Sequence, residues 1–152
     1  MKTLPYVVVF LLLGCTRIFS PENDGPVEYQ QYDGYFYAGP RFNSDSTVFY
    51  HFADKAGFDS CFQSASYPFE PDTIPGPEFR RKQVIAVLKY SSSYYTMQVS
   101  SVERRNNILY FKYTAELHVD SLSWTPACKL VVTVNCTFDK IRFYENGEWI
   151  DE

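Results

Sequence analysis

Two runs of alternating apolar and polar residues dominate the second half of the chain. Tyr95, Met97 and Val99 alternate with Thr96, Gln98 and Ser100. After the polar stretch Arg104 to Asn107, the residues Leu109, Phe111, Tyr113, Ala115 and Leu117 repeat the pattern. A period of two puts each set on one face of a strand, so the pair predicts an antiparallel hairpin with one buried face. The alternation slips at Ser101-Val102, which predicts a bulge. Upstream, Val84-Ile85-Ala86-Val87-Leu88 is apolar at every position, as expected of a central strand covered on both faces. Thr47 to Ala53 alternates with Val48, Tyr50 and Phe52 on one face, and Lys129 to Cys136 turns Leu130, Val132 and Val134 to the core. Ile141 and Phe143 belong to another strand. Asn146-Gly147 then predicts a two-residue hairpin turn returning through Trp149 and Ile150, because both turn residues need φ > 0.

The remaining elements are shorter. Asp54 is a suitable N-cap for a helix from Lys55 to about Ser64, with Phe58, Cys61, Phe62 and Ala65 on one stripe. Tyr67 to Phe79 holds four prolines and predicts a stiff loop outside any regular element. His118 to Thr125 connects, closed by Pro126. Glu28 to Gly39 carries Tyr29, Tyr32, Tyr35, Phe36 and Tyr37, forming a first strand or an irregular edge. Those rings are either a stacking platform for a sugar or protein, or packing against the sheet. The sum is an α+β domain, mainly antiparallel β-sheet of about seven strands with one short helix.

The N-terminus has a different character. Lys2 precedes an unbroken apolar run from Tyr6 to Leu13, too short for the roughly 20 residues that cross a bilayer. It reads as an export signal. Leu12-Leu13-Gly14-Cys15 resembles the bacterial lipobox, which implies cleavage between Gly14 and Cys15 and a diacylglycerol on the Cys15 thiol. Acyl chains there would be the only covalent group the chain needs, each buried methylene adding about 0.8 kcal/mol of membrane affinity. Thr16 stands where an aspartate would mark inner-membrane retention, which points to the outer membrane. The organisation expected is a signal over 1–14, a lipidated tether with Pro21 and Pro26 over 15–27, and one domain over 28–152.

Charge and chemistry narrow the function further. The net charge is −4, and no basic stripe with interleaved aromatics appears, which excludes a nucleic-acid binder. Thirteen Tyr and thirteen Phe favour strands and interfaces. With Cys15 lipidated, Cys61, Cys128 and Cys136 remain in a compartment that permits disulfides. On one extended strand Cys128 and Cys136 would lie about 27 Å apart, too far to bond. Cys61 can bond either one, or all three are small core residues. Their spacing matches no zinc pattern, and no metal site is expected. A Cys61–His51 dyad across the strand–helix turn would make a cysteine-dependent hydrolase, but nothing orients the histidine or supplies an oxyanion hole. His118, Asp120, Glu145 and Glu148 are scattered, so the domain reads as non-catalytic.

From Thr47 onward the layout resembles the C-terminal domain of PrcB-type lipoproteins, which associate with and stabilise a secreted protease. The residues that carry the resemblance are the strand from Thr47, the helix around Phe58 to Phe62, and Phe79 with the apolar strand to Leu88. They are followed by Tyr95-Thr96-Met97-Gln98-Val99-Ser100-Ser101-Val102 and by Ile108 to Leu117. Ser91-Ser92-Ser93-Tyr94 replaces that family's Pro-Thr-Gly-Gly run, so only Tyr95 carries over, as a structural match. Lys140 to Gly147 is similar to small Bacteroidetes lipoproteins. The resemblance implies a non-catalytic lipoprotein, anchored in the cell envelope, that binds a protein partner. A glycan-binding surface lipoprotein is the alternative, and Tyr29, Tyr32, Tyr35, Tyr37 and Tyr95 are the candidate contact residues.

Overall fold

The computed structural model describes residues 24–40, 46–65, 72–75, 78–91, 93–118 and 127–150. The expected signal segment, Cys15, the expected tether as far as 23, most of the proline-rich loop and the connection 119–126 lie outside the described residues. In chain order the elements are β1 (Gly25–Pro26), β2 (Tyr29–Tyr32), β3 (Tyr35–Tyr37), β4 (Ser46–Phe52), α1 (Lys55–Cys61) and β5 (Phe62–Ser64). They continue as β6 (Gln83–Tyr90), β7 (Tyr94–Arg105), β8 (Ile108–His118), β9 (Ala127–Val134), β10 (Lys140–Glu145) and β11 (Glu148–Ile150). The class is mostly antiparallel β-sheet with one short helix, as the patterning implies.

Three layers build the core. An outer sheet has the order β1-β7-β8-β10-β11 and a central sheet the order β2-β9-β6-β4. Between them lie Ile85, Val87, Leu130, Val132 and Val134 from the central sheet, and Met97, Val99, Val102, Leu109, Phe111, Tyr113 and Phe143 from the outer one. The other face of the central sheet, with Phe52, Val84, Ala86, Leu88 and Val131, packs under Tyr35, Phe58, Phe62, Ile74 and Phe79. The third layer is thus α1, the small β3–β5 ribbon and the loop residues that cover them. Burial on both sides explains why β6 is apolar at every position from Val84 to Leu88.

Local chemistry accounts for the turns. Asp54 caps α1 by accepting the Gly57 N–H at 2.7 Å. Asn106 and Asn107 have φ of 51° and 62°, and Asn146 and Gly147 have 53° and 88°, so both hairpins close through left-handed turn pairs. The bulge in β7 falls between Val99 and Ser101, one residue before its expected place.

Several expectations need correction. The described residues form eleven strands where about seven are expected. The difference lies in short pieces: the aromatic segment is split into β2 and β3, which join different sheets. Gly34 permits the split, since a Cβ there would sit 2.3 Å from the Asp72 carbonyl oxygen. The helix ends at Cys61, because Phe62 turns extended and begins β5 against Tyr37. Gly25 and Pro26, expected in the tether, pair with Arg104 and Glu103, so the folded region starts earlier than composition suggests. Strand β10 runs parallel to β8. The chain leaves the outer sheet after β8, passes through β9 in the central sheet and comes back, and so approaches β8 from its unoccupied side. Leu117, expected in the core, is 52% exposed at the end of β8, beyond the last buried residue, Ala115.

Candidate functional site

The candidate tyrosines do not form one platform. Tyr32 is 1% exposed and its hydroxyl donates to the Glu78 carboxylate at 2.9 Å. Burial, reinforced by that bond, pushes the Tyr32 phenol up to about 12. Tyr35 is buried edge-on against Phe58, its hydroxyl accepting the Ile74 N–H at 2.8 Å. Tyr37 is half-buried and shares a hydrogen bond with the Tyr50 hydroxyl at 3.0 Å. Tyr32 and Tyr35 are therefore core residues, a correction to their reading as contact residues; a buried ring offers no face to a ligand. Tyr29 alone of the four is exposed, and it lines an open groove of about 480 Å³ with Glu28, Gln30, Lys82 and Asn135. Tyr95 packs inward, with the Lys89 ammonium 4.6 Å from its ring centroid and its N–H donating to the Cys128 sulfur.

His51 and Cys61 are not brought together. Cys61 packs with Val48, Tyr50 and Phe52 on one face of β4, whereas alternation turns His51 to the other. There its ring lies against Phe138 and its Nε2 meets the Gln83 side chain at 2.8 Å. Cys61, Cys128 and Cys136 are unbridged thiols. Cys61 belongs to the core on one side of the central sheet and the other two to the core on the opposite side, so neither proposed pairing forms. Burial raises the Cys128 thiol, which makes it less reactive. Among the described residues no three His, Cys, Asp or Glu side chains converge as a metal site would require.

The half-buried ion pair Lys89–Glu145 links the central and outer sheets, and the Tyr113 hydroxyl donates to the same carboxylate at 2.8 Å. Burial, with Glu145 beside it, raises the Tyr113 phenol. The three groups satisfy one another at the edge of the sandwich.

A different surface stands out on the solvent side of the outer sheet. The polar positions of the alternation face outward there: Glu103 and Arg105 on β7, Tyr110 and Lys112 on β8, Lys140, Arg142 and Tyr144 on β10, and Trp149 on β11. Tyr110 and Tyr144 stack at 6.3 Å. The Arg142 guanidinium lies 5.7 Å from the Tyr110 ring and 5.6 Å from the Trp149 ring, within cation–π range of both. Arg105 approaches Tyr110 from its other neighbour strand at 5.8 Å. Glu103 pairs with both Arg105 and Lys112, and Arg105 foremost holds its carboxyl below the usual range. Arg142 is exposed and makes no ion pair among the described residues, so the clamp holds it by ring contacts alone. Trp149 is 58% exposed.

Holding a guanidinium between two rings has a chemical consequence. A loose arginine gives up about 2 kcal/mol of rotamer freedom when it binds, whereas a clamped one has already lost part of that freedom. Its fork of N–H donors stays open to solvent and suits a planar, bidentate acceptor. None of these residues stands out in the sequence as a candidate, yet a signal is present. Once Leu109, Phe111 and Tyr113 face inward, Tyr110 must face out, and an outward aromatic beside outward cations is a binding-surface composition. No family model, curated protein or solved structure matches this chain.

Proposed function

We propose that this chain is a non-catalytic binding lipoprotein, anchored in the outer membrane of a bacterial cell envelope through Cys15, that holds a protein partner. A secreted protease that it stabilises or regulates is the partner the PrcB-type resemblance suggests. The observation that carries the reading is the exposed Arg142 clamp between Tyr110 and Trp149. Trp, Tyr and Arg dominate the residues that supply binding energy at protein interfaces, and here they share an open sheet face. The lipobox resemblance at Leu12 to Cys15 supports the anchor. The separation of His51 from Cys61 removes the one dyad the sequence offered for catalysis. The test is affinity capture from crosslinked envelopes with the native protein and with the Arg142→Ala/Trp149→Ala variant. A defined partner that co-purifies with the native protein and is lost from the variant is expected. A native protein that captures no partner ends the reading.

A glycan reading keeps one observation, the groove at Tyr29 with its polar lining. Binding on a glycan array that disappears on Tyr29→Ala would favour it over the protein partner.

A further inference from the structure

Resting on the protein-binding reading, we infer that the Arg142 clamp receives a short acidic stretch of the partner's polypeptide, with a carboxylate seated on the guanidinium. Charge is the first argument. The outward positions around Tyr110 carry Arg105, Lys112, Lys140 and Arg142 against the single carboxylate of Glu103, on a chain whose net charge is −4. A local cationic face on an acidic molecule selects a ligand that presents negative charge at that spot only. Glu103 already engages Arg105 and Lys112. Arg142 has rings on two sides and no carboxylate among the described residues, so its donors are the ones a ligand would take.

Size is the second argument. From Arg105 through Tyr110 and Arg142 to Trp149 the clamp crosses four adjacent strands, β7, β8, β10 and β11. Three strand spacings of about 4.8 Å make roughly 14 Å, the reach of about four residues of extended polypeptide. A long polyanion would run off this patch toward Glu116, which faces outward farther along β8. An anionic bilayer would meet the net negative charge of the whole domain. A short acidic peptide meets neither obstacle.

The test uses the membrane-extracted protein in neutral detergent and a fluorescein-labelled octaglutamate peptide, with octaglutamine as the uncharged control, read by anisotropy. Octaglutamate is expected to bind and octaglutamine to remain free. The signal should weaken as salt rises. Arg142→Gln should weaken binding about tenfold or more, the scale of a hot-spot residue. Arg142→Lys should weaken it several-fold, because an ammonium keeps the charge but loses the planar fork. Tyr94→Ala, at the far end of the same sheet, should leave it unchanged. Far-UV circular dichroism and the thermal transition confirm that each variant is folded. Equal binding by the Arg142→Gln variant, or no binding of octaglutamate by the native protein, overturns the inference. So does tighter, Arg142-dependent binding of polygalacturonate or of phosphatidylglycerol vesicles, which would assign the clamp to a glycan or a lipid surface. Partner capture that survives Arg142→Gln would sink the acidic-peptide inference while leaving the protein-binding reading standing.

Discussion

At the residue scale, Phe58 and Tyr32 show how burial becomes a measurable quantity. Phe58 is fully buried, stacked on Phe62 at 5.0 Å and edge-on to Phe52 at 5.4 Å. Phe58→Ala removes a ring that joins the helix to the central sheet and should cost about 3–5 kcal/mol in urea unfolding. An exposed neighbour such as Ala56 should tolerate change within about 0.5 kcal/mol. Tyr32 makes a prediction in pH. Its folded pKa is about 12 against an ordinary 10.0, so the folded state retains the proton more strongly than the unfolded chain does. The resulting stabilisation is complete below pH 10 and is lost as pH rises through 12. The upper bound is about 2–3 kcal/mol. Between pH 10 and 11.5, Tyr32→Phe should therefore lose less stability than the native protein, and parallel pH slopes would refute the assignment.

Among the elements, the β7–β8 hairpin puts register to the test. Inward positions on β7 are Met97 and Val99 before the bulge, then Val102 and Arg104 after it. Ser100 is the residue that absorbs the change of parity. Deleting Ser100 leaves an uninterrupted alternation with the same residues facing in, so the variant should fold and lose roughly 1 kcal/mol. Deleting Lys112 from the unbulged strand β8 forces either Leu109 and Phe111 or Tyr113 and Ala115 to the solvent, and should abolish cooperative unfolding. Comparing the two thermal transitions decides the matter. The same hairpin shows what a sequence can reveal about this fold. Strands β6, β7, β8 and β9 are legible because their burial repeats along the chain. The β3–β5 ribbon joins residues far apart in sequence, and β1 carries a proline, so neither has a local pattern to read. The Arg142 clamp is hidden for the same reason. Tyr110, Arg142 and Trp149 become neighbours only through the parallel pairing of β8 with β10 and the return of β11. Periodicity tells which face a residue occupies but not which strand lies beside it.

For the whole molecule, the strand order of the outer sheet puts the clamp at the edge opposite the strand nearest the proposed anchor. The described chain enters the outer sheet at β1, one edge, and the clamp closes at β11, the other edge. Four strand spacings place the two about 19 Å apart. On the proposed anchor, the residues from Thr16 to Asn23 span at most about 28 Å. The clamp would then work within roughly 50 Å of the membrane surface, free of the lipid but confined near it. Confinement raises the effective concentration of a partner held in the same membrane without adding a contact. Replacing Cys15 with serine separates these effects, because the thiol that would carry the lipid is lost while the folded domain is untouched. Cys15→Ser, carried with the segment 1–14 exchanged for an ordinary cleavable secretory signal, should move the protein to the soluble envelope fraction and sharply reduce partner capture in intact envelopes. Its affinity for octaglutamate in solution should match that of the native protein. A variant that stays in the membrane fraction would refute the anchor. One that leaves the membrane yet captures the partner undiminished would show that the clamp alone provides the association.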